Sequence, residues 1–186
     1  MSSRRPVDRS RIELFLQSLG ERYRRPGRLY LVGGTTLVFE GLRQQTIDID
    51  VVMAVAPEDH GALIQAIREL KDLLDVNVEE ASPGDFIPLP AGYADRHEFV
   101  GRFEQLDVFH FDLYSTALGK IERGRRQDLV DVVLLLQNRR IEWARLEGFF
   151  QEILPQMGLR SLRQDPKEFE KNFRALEKMW RQAPGQ

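Results

Sequence analysis

The segment Leu31–Val52, LVGGTTLVFEGLRQQTIDIDVV, constrains this chain more than any other. Gly33 and Gly34 end an apolar run and are followed by two hydroxyls, Thr35 and Thr36. Thirteen residues separate Gly34 from Asp48, and Asp48 and Asp50 then interrupt a second apolar run, Ile47–Val55. A strand alternates its side chains, so Asp48 and Asp50 share one face while Ile47, Ile49 and Val51 take the other. Two carboxylates that close repel each other, and in a half-buried place one takes up a proton unless a cation is present. Hard oxygen ligands of this kind suit Mg²⁺, which keeps waters and substrate phosphates as its other ligands.

A bare D-x-D reads first as an exposed edge strand with solvated aspartates. The glycines change that reading. They close a strand and open a helix, where backbone N–H groups and the positive end of the helix dipole favour an anion. An anion cradle followed by a paired-carboxylate strand is the layout that holds a nucleoside triphosphate with its magnesium.

The surrounding chain is compatible with this. It has 186 residues, 42% of them apolar and 30% charged, which suffices for a core. It has no cysteine, which excludes disulfides and thiolate metal sites and fits a reducing cytoplasm. The opening MSSRRPVDRSRIELF lacks the apolar region of a signal peptide. No apolar run approaches the ~20 residues of a membrane helix. The net charge of −2 argues against a surface built wholly for polyanions, yet eight arginines face three acids before residue 30, and Arg123, Arg125 and Arg126 form a second cluster. Such clusters grip phosphates or simply solvate a helix face.

Periodicity predicts a helix over 8–25, a strand at 28–32, a short helix at 35–41, a strand at 47–55 and a helix from Pro57. A third strand follows at 75–80, then a Pro- and Gly-rich loop at 81–96 and a hairpin from 97–105 and 107–111. Helices follow at 112–124, 127–137 and 142–157. Asp165-Pro-Lys-Glu caps a last helix carrying Phe169, Phe173, Leu176 and Trp180 as a packing stripe. The expected fold is α+β: a small mixed sheet with flanking helices and a helical C-terminal part. The expected division is a core at 1–112 and a helical part at 113–186, or one continuous domain.

VGGTTLVFEGLRQQTIDIDVV resembles the signature of the polymerase-beta-like nucleotidyltransferases: G-[G/S], a spacer, then D-x-[D/E] between apolar residues. GG-T, Arg43 before Thr46, and T-x-D-x-D are similar to the minimal and abortive-infection-type bacterial enzymes, many of them toxins of toxin–antitoxin pairs. The similarity continues in ALGKIERGRRQDLVDVVLLL, with a lysine, a basic stretch and D-[LI]-x-D, and spans roughly residues 28–137. The resemblance implies that Gly33 and Gly34 hold the triphosphate, helped by Thr35 or Thr36, and that Asp48 and Asp50 bind two Mg²⁺. Lys120 would neutralise phosphate charge, and Asp128 would match the last acidic position. Lysine is scarce here, five against 22 arginines, which makes Lys120 more informative, although it equally suits a solvated helix face. Asp128 suits a helix start for dipole reasons alone. Arg43 reaches a phosphate or pairs with Asp48 or Asp50.

The family pattern usually has a third carboxylate on the next strand. Asp75, Asn77 and Glu79 share a face there; Glu79 is the expected metal ligand or base, with Asp75 the alternative. The asparagine among them departs from the pattern and leaves open whether a base exists. The expected activity is Mg²⁺-dependent transfer of an NMP from an NTP to a hydroxyl. The acceptor would be an RNA 3′ end such as a tRNA, a protein, or a small molecule of the aminoglycoside type. A catalytically silent relative that binds a partner, such as an antitoxin, is the rival; for a toxin, the cognate antitoxin would be the partner. No membrane partner is expected.

Overall fold

The computed structural model describes residues 5–159 and 164–184. The chain divides into two compact units, Met1–Ser82 with His97–Phe111, and Pro83–Arg96 with Asp112–Gln186.

The first unit carries all five strands. Helix α1 (Arg9–Tyr23) begins at Asp8, whose side chain accepts from the Arg11 N–H, and buries Ile12, Phe15, Leu16 and Leu19. Strand β1 (Gly27–Leu31) runs into the two-turn helix α2 (Gly33–Phe39). Strand β2 (Asp48–Ala54) leads to helix α3 (Pro57–Leu73), which has proline in its first turn. Strands β3 (Asn77–Glu80), β4 (Glu98–Phe103) and β5 (Leu106–His110) complete a sheet of order β3-β2-β1-β5-β4. The β1–β2 and β4–β5 pairs are antiparallel, and β2–β3 and β1–β5 are parallel. This is the mixed sheet of an α+β fold.

One face of the sheet forms the core. Leu29, Leu31, Ile49, Val51 and Val108 meet Phe15 and Leu16 of α1 and Leu63 and Leu70 of α3. The alternating positions, Arg28, Tyr30, Asp48, Asp50, Val52 and Phe109, lie on the opposite face.

The third strand begins two residues later than the alternation suggests. Asp75 takes φ +50° at the end of α3, and the Val76 N–H donates to the Lys71 carbonyl, so the strand geometry starts at Asn77.

The second unit is helical: α4 (Leu113–Arg123), α5 (Arg126–Gln137), α6 (Trp143–Ile153) and α7 (Pro166–Gln182). Asp112 caps α4 and accepts from Tyr114 and Ser115 N–H groups. Arg96 grips the same carboxylate with two bonds of 3.0 and 2.9 Å. Asp165 caps α7, and the stripe packs as Phe173 stacked on Phe150 at 3.9 Å with Phe169 at 4.9 Å from that ring. The proline-rich stretch from 81 to 96 has structure of its own. It makes 3-10 turns at Pro83–Asp85 and Tyr93–Arg96, and Ile87 is fully buried. No helix among the described residues is long and apolar enough to cross a membrane.

Candidate functional site

Asp48 and Asp50 stand at the start of β2, where ligand sites in open sheets are uncommon. The antiparallel pairing of β1 with β2 accounts for this. The beginning of β2 lies beside the end of β1, and the Val32 N–H extends the ladder by donating to the Asp50 carbonyl. Asp50 therefore meets the Gly33-Gly34 turn directly, and Asp48 lies two residues before it on the same face of β2. Both are half-buried, alternating with the buried Ile49 and Val51.

Each glycine of the turn is dictated by a close neighbour. Gly33 has φ +58°, and a Cβ there would lie 2.9 Å from Asp50 Oδ2. A Cβ on Gly34 would lie 2.6 Å from Thr46 Oγ1 and 3.5 Å from Arg43 Nη1. The turn thus admits the Asp50 carboxylate on one side and Thr46 with the Arg43 guanidinium on the other. Helix α2 starts here without a side-chain cap.

The two threonines are fully buried and serve the backbone. Thr35 Oγ1 accepts from the Asp50 N–H at 2.8 Å and donates to the Asp48 carbonyl at 3.3 Å. It clamps the main chain between the two carboxylates. Thr36 Oγ1 donates to the Leu31 carbonyl at 2.9 Å. Thr46 is fixed by a two-way backbone bridge to Val7, at 2.7 and 2.9 Å.

The next strand adds two polar side chains in register. Asn77 is opposite Asp48, and Glu79 is opposite Asp50. The Asn77 carboxamide donates to Asp48 Oδ1 and to Glu79 Oε1, each at 2.7 Å. Those two oxygens are therefore no farther apart than twice that distance. Glu79 is otherwise exposed, and Asp75 lies off the strand, its carbonyl accepting from Arg11.

Two carboxylates on one face with room for further oxygen donors suit Mg²⁺, which takes one or two protein carboxylates and completes its shell with water and phosphate. Among the described residues, no group of three or more His, Cys, Asp or Glu side chains is drawn together tightly enough to hold a metal. The Asn77 amide lies between Asp48 and Glu79 and donates to both.

Lys120 and Asp128 belong to the helical unit. Lys120 is only 4% exposed, and its ammonium donates to Asp131 Oδ2 at 2.6 Å and Asp128 Oδ1 at 3.3 Å. Arg123 meets the same Asp128 oxygen at 2.5 Å, and Gln127 donates to Asp131 at 3.1 Å. The group braces α4 against α5.

The amino-terminal arginines are largely committed within the first unit. Arg9 pairs with Glu13, Arg22 with Glu69 and Arg25 with Asp59, while Arg11 donates to the carbonyls of Leu74 and Asp75.

Sequence reasoning missed the bridging function of Asn77, the Thr35 clamp on β2 and Asp131 as the main partner of Lys120. The shared face of Asn77 with Glu79 signalled the first; the D-x-x-D spacing of Asp128 and Asp131 signalled the last.

No curated protein and no solved structure matches the chain. The family model described as "nucleotidyltransferase of unknown function (DUF6036)" matches residues 10–181, nearly the whole chain, and the chain belongs to that family.

Proposed function

We propose that this protein is a Mg²⁺-dependent nucleotidyltransferase that moves an NMP from an NTP to an acceptor hydroxyl. One observation carries the reading: Asp48 and Asp50 share a face of β2 against a glycine turn that a Cβ would block, with Asp50 Oδ2 only 2.9 Å from the Gly33 Cβ position.

In this reading Asp48 and Asp50 hold the metal, and Glu79 is the third acid of the site. Mg²⁺ bound there would draw charge from the triphosphate and make the α-phosphorus more electrophilic. The open first turn of α2 at Gly33-Gly34 and the Arg43 guanidinium beside it meet the phosphates. Thr35 and Thr36 support this turn from below by fixing the strand ends. The acceptor oxygen forms its bond to the α-phosphorus as the bond to the β-phosphate oxygen breaks, and pyrophosphate leaves. Glu79 takes the acceptor's proton. We assign the Lys120–Asp128–Asp131 group to bracing of the helical unit.

The biological setting proposed is the toxin of a toxin–antitoxin pair, on the strength of the GG-T and T-x-D-x-D motifs. Growth arrest on induced expression, relieved by Asp48→Asn, supports it; normal growth under strong expression removes it.

A second reading has one observation in its favour. With Asn77 tied to both Asp48 and Glu79, the site lacks a preassembled three-acid group. A catalytically silent binding protein of the same fold would have this arrangement. Incubation of pure protein with each labelled NTP, Mg²⁺ and total RNA separates the two. Label transfer or pyrophosphate release that disappears in Asp50→Asn supports the enzyme. Nucleotide binding without turnover of any NTP favours the binding protein.

A further inference from the structure

The face of the sheet that carries the carboxylates continues as a row of aromatic rings. Val52 of β2 is directly opposite Tyr30 of β1, Tyr30 is opposite Phe109 of β5, and Phe109 is opposite Phe99 of β4. The row crosses four neighbouring strands at one level. Ring centroids are 5.6 Å apart for Tyr30–Phe109 and 5.4 Å for Phe109–Phe99. Tyr30 is one pleat from Asp50, a diagonal separation of about 7–8 Å on a shared face.

A phenylalanine at this place is costly in water. Phe99 is 61% exposed, among the most exposed large apolar side chains of the described residues. The bulge between Phe99 and Gly101 lets Val100 pack on the core while Phe99 keeps the opposite face.

The level next to the ring row is charged. Arg28 lies over the Phe109 ring at 5.9 Å, and Arg102 grips Asp107 by two bonds of 2.6 and 3.1 Å. That bidentate pair compensates the Asp107 charge, and Arg28 adds a guanidinium beside the rings. A groove of about 800 Å³ opens alongside, with Arg28, Tyr30 and Arg102 but also Asp59, Glu104 and Asp107 among its walls.

We propose that this aromatic row is a platform for single-stranded nucleic acid, and that it presents the acceptor strand to the carboxylate site. Three neighbouring rings, Tyr30 and Phe109 near parallel at 29° and Phe99 edge-on to Phe109 at 68°, with the Arg28 guanidinium beside them, match the two parts of a single strand. Unpaired bases stack on rings of any identity, and a phosphate of the strand meets the Arg28 guanidinium beside them. A duplex keeps its bases stacked inside and cannot use the rings. Phe99 is the exposed ring a base meets first, and the half-buried Tyr30, which also packs on His97 at 4.5 Å, is the end of the row nearest Asp50. Of the amino-terminal arginines this grip uses Arg28 alone; Arg9, Arg22 and Arg25 are paired with acids and Arg11 donates to the Leu74 and Asp75 carbonyls. The inference rests on the nucleotidyltransferase reading for its choice of acceptor, but its binding surface can be tested without turnover.

The test is fluorescence anisotropy with a labelled twelve-nucleotide single-stranded RNA and the duplex of the same sequence. Calorimetry with Mg²⁺ and each NTP runs in parallel. The single strand is expected to bind at least about tenfold more tightly than the duplex. Phe99→Ala is expected to weaken it about tenfold, the usual range for loss of one stacking ring. Phe99→Trp should restore it, and Arg28→Gln should weaken it and flatten its salt dependence. NTP binding should be unchanged in all three variants. If NTP binds but the single strand does not, or if Phe99→Ala leaves its affinity intact, the platform is overturned while the nucleotidyltransferase reading stands. If the single strand binds through Phe99 but no NTP binds with Mg²⁺, the catalytic reading fails and the platform stands as a binding surface. Equal affinity for duplex, or self-association of the pure chain that Phe99→Ala abolishes, overturns the proposal in favour of bulk electrostatics or a second copy of this chain.

Discussion

The side-chain amide of Asn77 reaches Asp48 Oδ1 at 2.7 Å while its second N–H meets Glu79 Oε1 at the same distance. One neutral donor pair thus links two acids on adjacent strands. It offsets their repulsion without a cation and does so at a buried position.

Replacing that amide should make the site dependent on metal. Asn77→Asp removes both donors and adds a third negative charge between Asp48 and Glu79. In EDTA the variant should lose about 1–3 kcal/mol, the cost of stripping donors from acids in a partly buried place. Millimolar Mg²⁺ should return a larger part of the loss than any gain it gives the natural protein. Thermal unfolding with and without EDTA measures both. Equal melting points in the two buffers would mean that no cation enters between these acids.

The glycine turn makes a steric prediction that does not depend on catalysis. A Cβ on Gly34 meets Thr46 Oγ1 at 2.6 Å, and Thr46 is pinned by its two backbone bonds to Val7. Gly34→Ala should cost about 1–3 kcal/mol through overpacking. Thr46→Ala in the same chain removes the offending oxygen, so the double variant should be more stable than the sum of the two single losses by about 1 kcal/mol. Urea unfolding of the four proteins closes the cycle; strict additivity would contradict the contact.

Lys120 makes its prediction through burial. Asp131 is fully buried against its ammonium, and Asp128 shares it. Lys120→Met leaves these acids without that partner, which typically costs about 3–5 kcal/mol. Adding Asp131→Leu removes the uncompensated charge and should recover a large part of the loss, since Asp128 keeps Arg123. Denaturant melts report this directly. Any activity lost in Lys120→Met has meaning only beside the more stable double variant.

Glu122 sets a pH dependence. Burial raises its carboxyl above the ordinary value, with Arg123 opposing the shift weakly. A carboxyl whose folded pKa is raised favours the folded state below the unfolded pKa of about 4.3, and that contribution is lost as pH rises through the folded pKa. Glu122→Gln should therefore raise the melting temperature at pH 7 and change it little at pH 4. A variant that melts lower at pH 7 would contradict the sign.

The parts of this molecule that periodicity governs were legible in the sequence. The β2 alternation put Asp48 and Asp50 on one face, Pro57 opened α3, and Asp165 capped α7, because each is decided within a few residues. What depends on strand pairing was not legible. The sequence shows Asp48 and Asp50 early in their strand, yet only the antiparallel β1–β2 pairing brings that end to the glycine turn. Asp75 kept the strand alternation on paper, but its left-handed backbone ends α3 instead. Lys120 had the composition of an exposed or catalytic residue, and its burial follows from a long-range choice of partners, Asp128 and Asp131, that spacing along the chain merely permits. The 81–96 stretch reads as an irregular loop; Ile87, one apolar residue in a proline-rich run, is what anchors it.

The choice of Glu79 as third acid yields the last prediction. It is opposite Asp50 in the parallel register, and its Oε1 is held by Asn77. Gln at this position retains an oxygen that accepts from Asn77, so Glu79→Gln should melt within about 0.5 kcal/mol of the natural protein, as exposed substitutions usually do. It has no basic oxygen to take the acceptor's proton. Transfer should therefore fall by about 10²–10⁴-fold, the usual contribution of a positioned base. Binding of Mg²⁺ and NTP should persist, because Asp48 and Asp50 are untouched. Asp75→Asn should be silent in both assays, since Asp75 lies off the strand and asparagine tolerates the same left-handed backbone. Single-turnover transfer and calorimetry on the two variants decide it. Full transfer by Glu79→Gln would remove Glu79 from the chemistry. Loss of NTP binding together with transfer would make it a ligand of the nucleotide complex rather than a base.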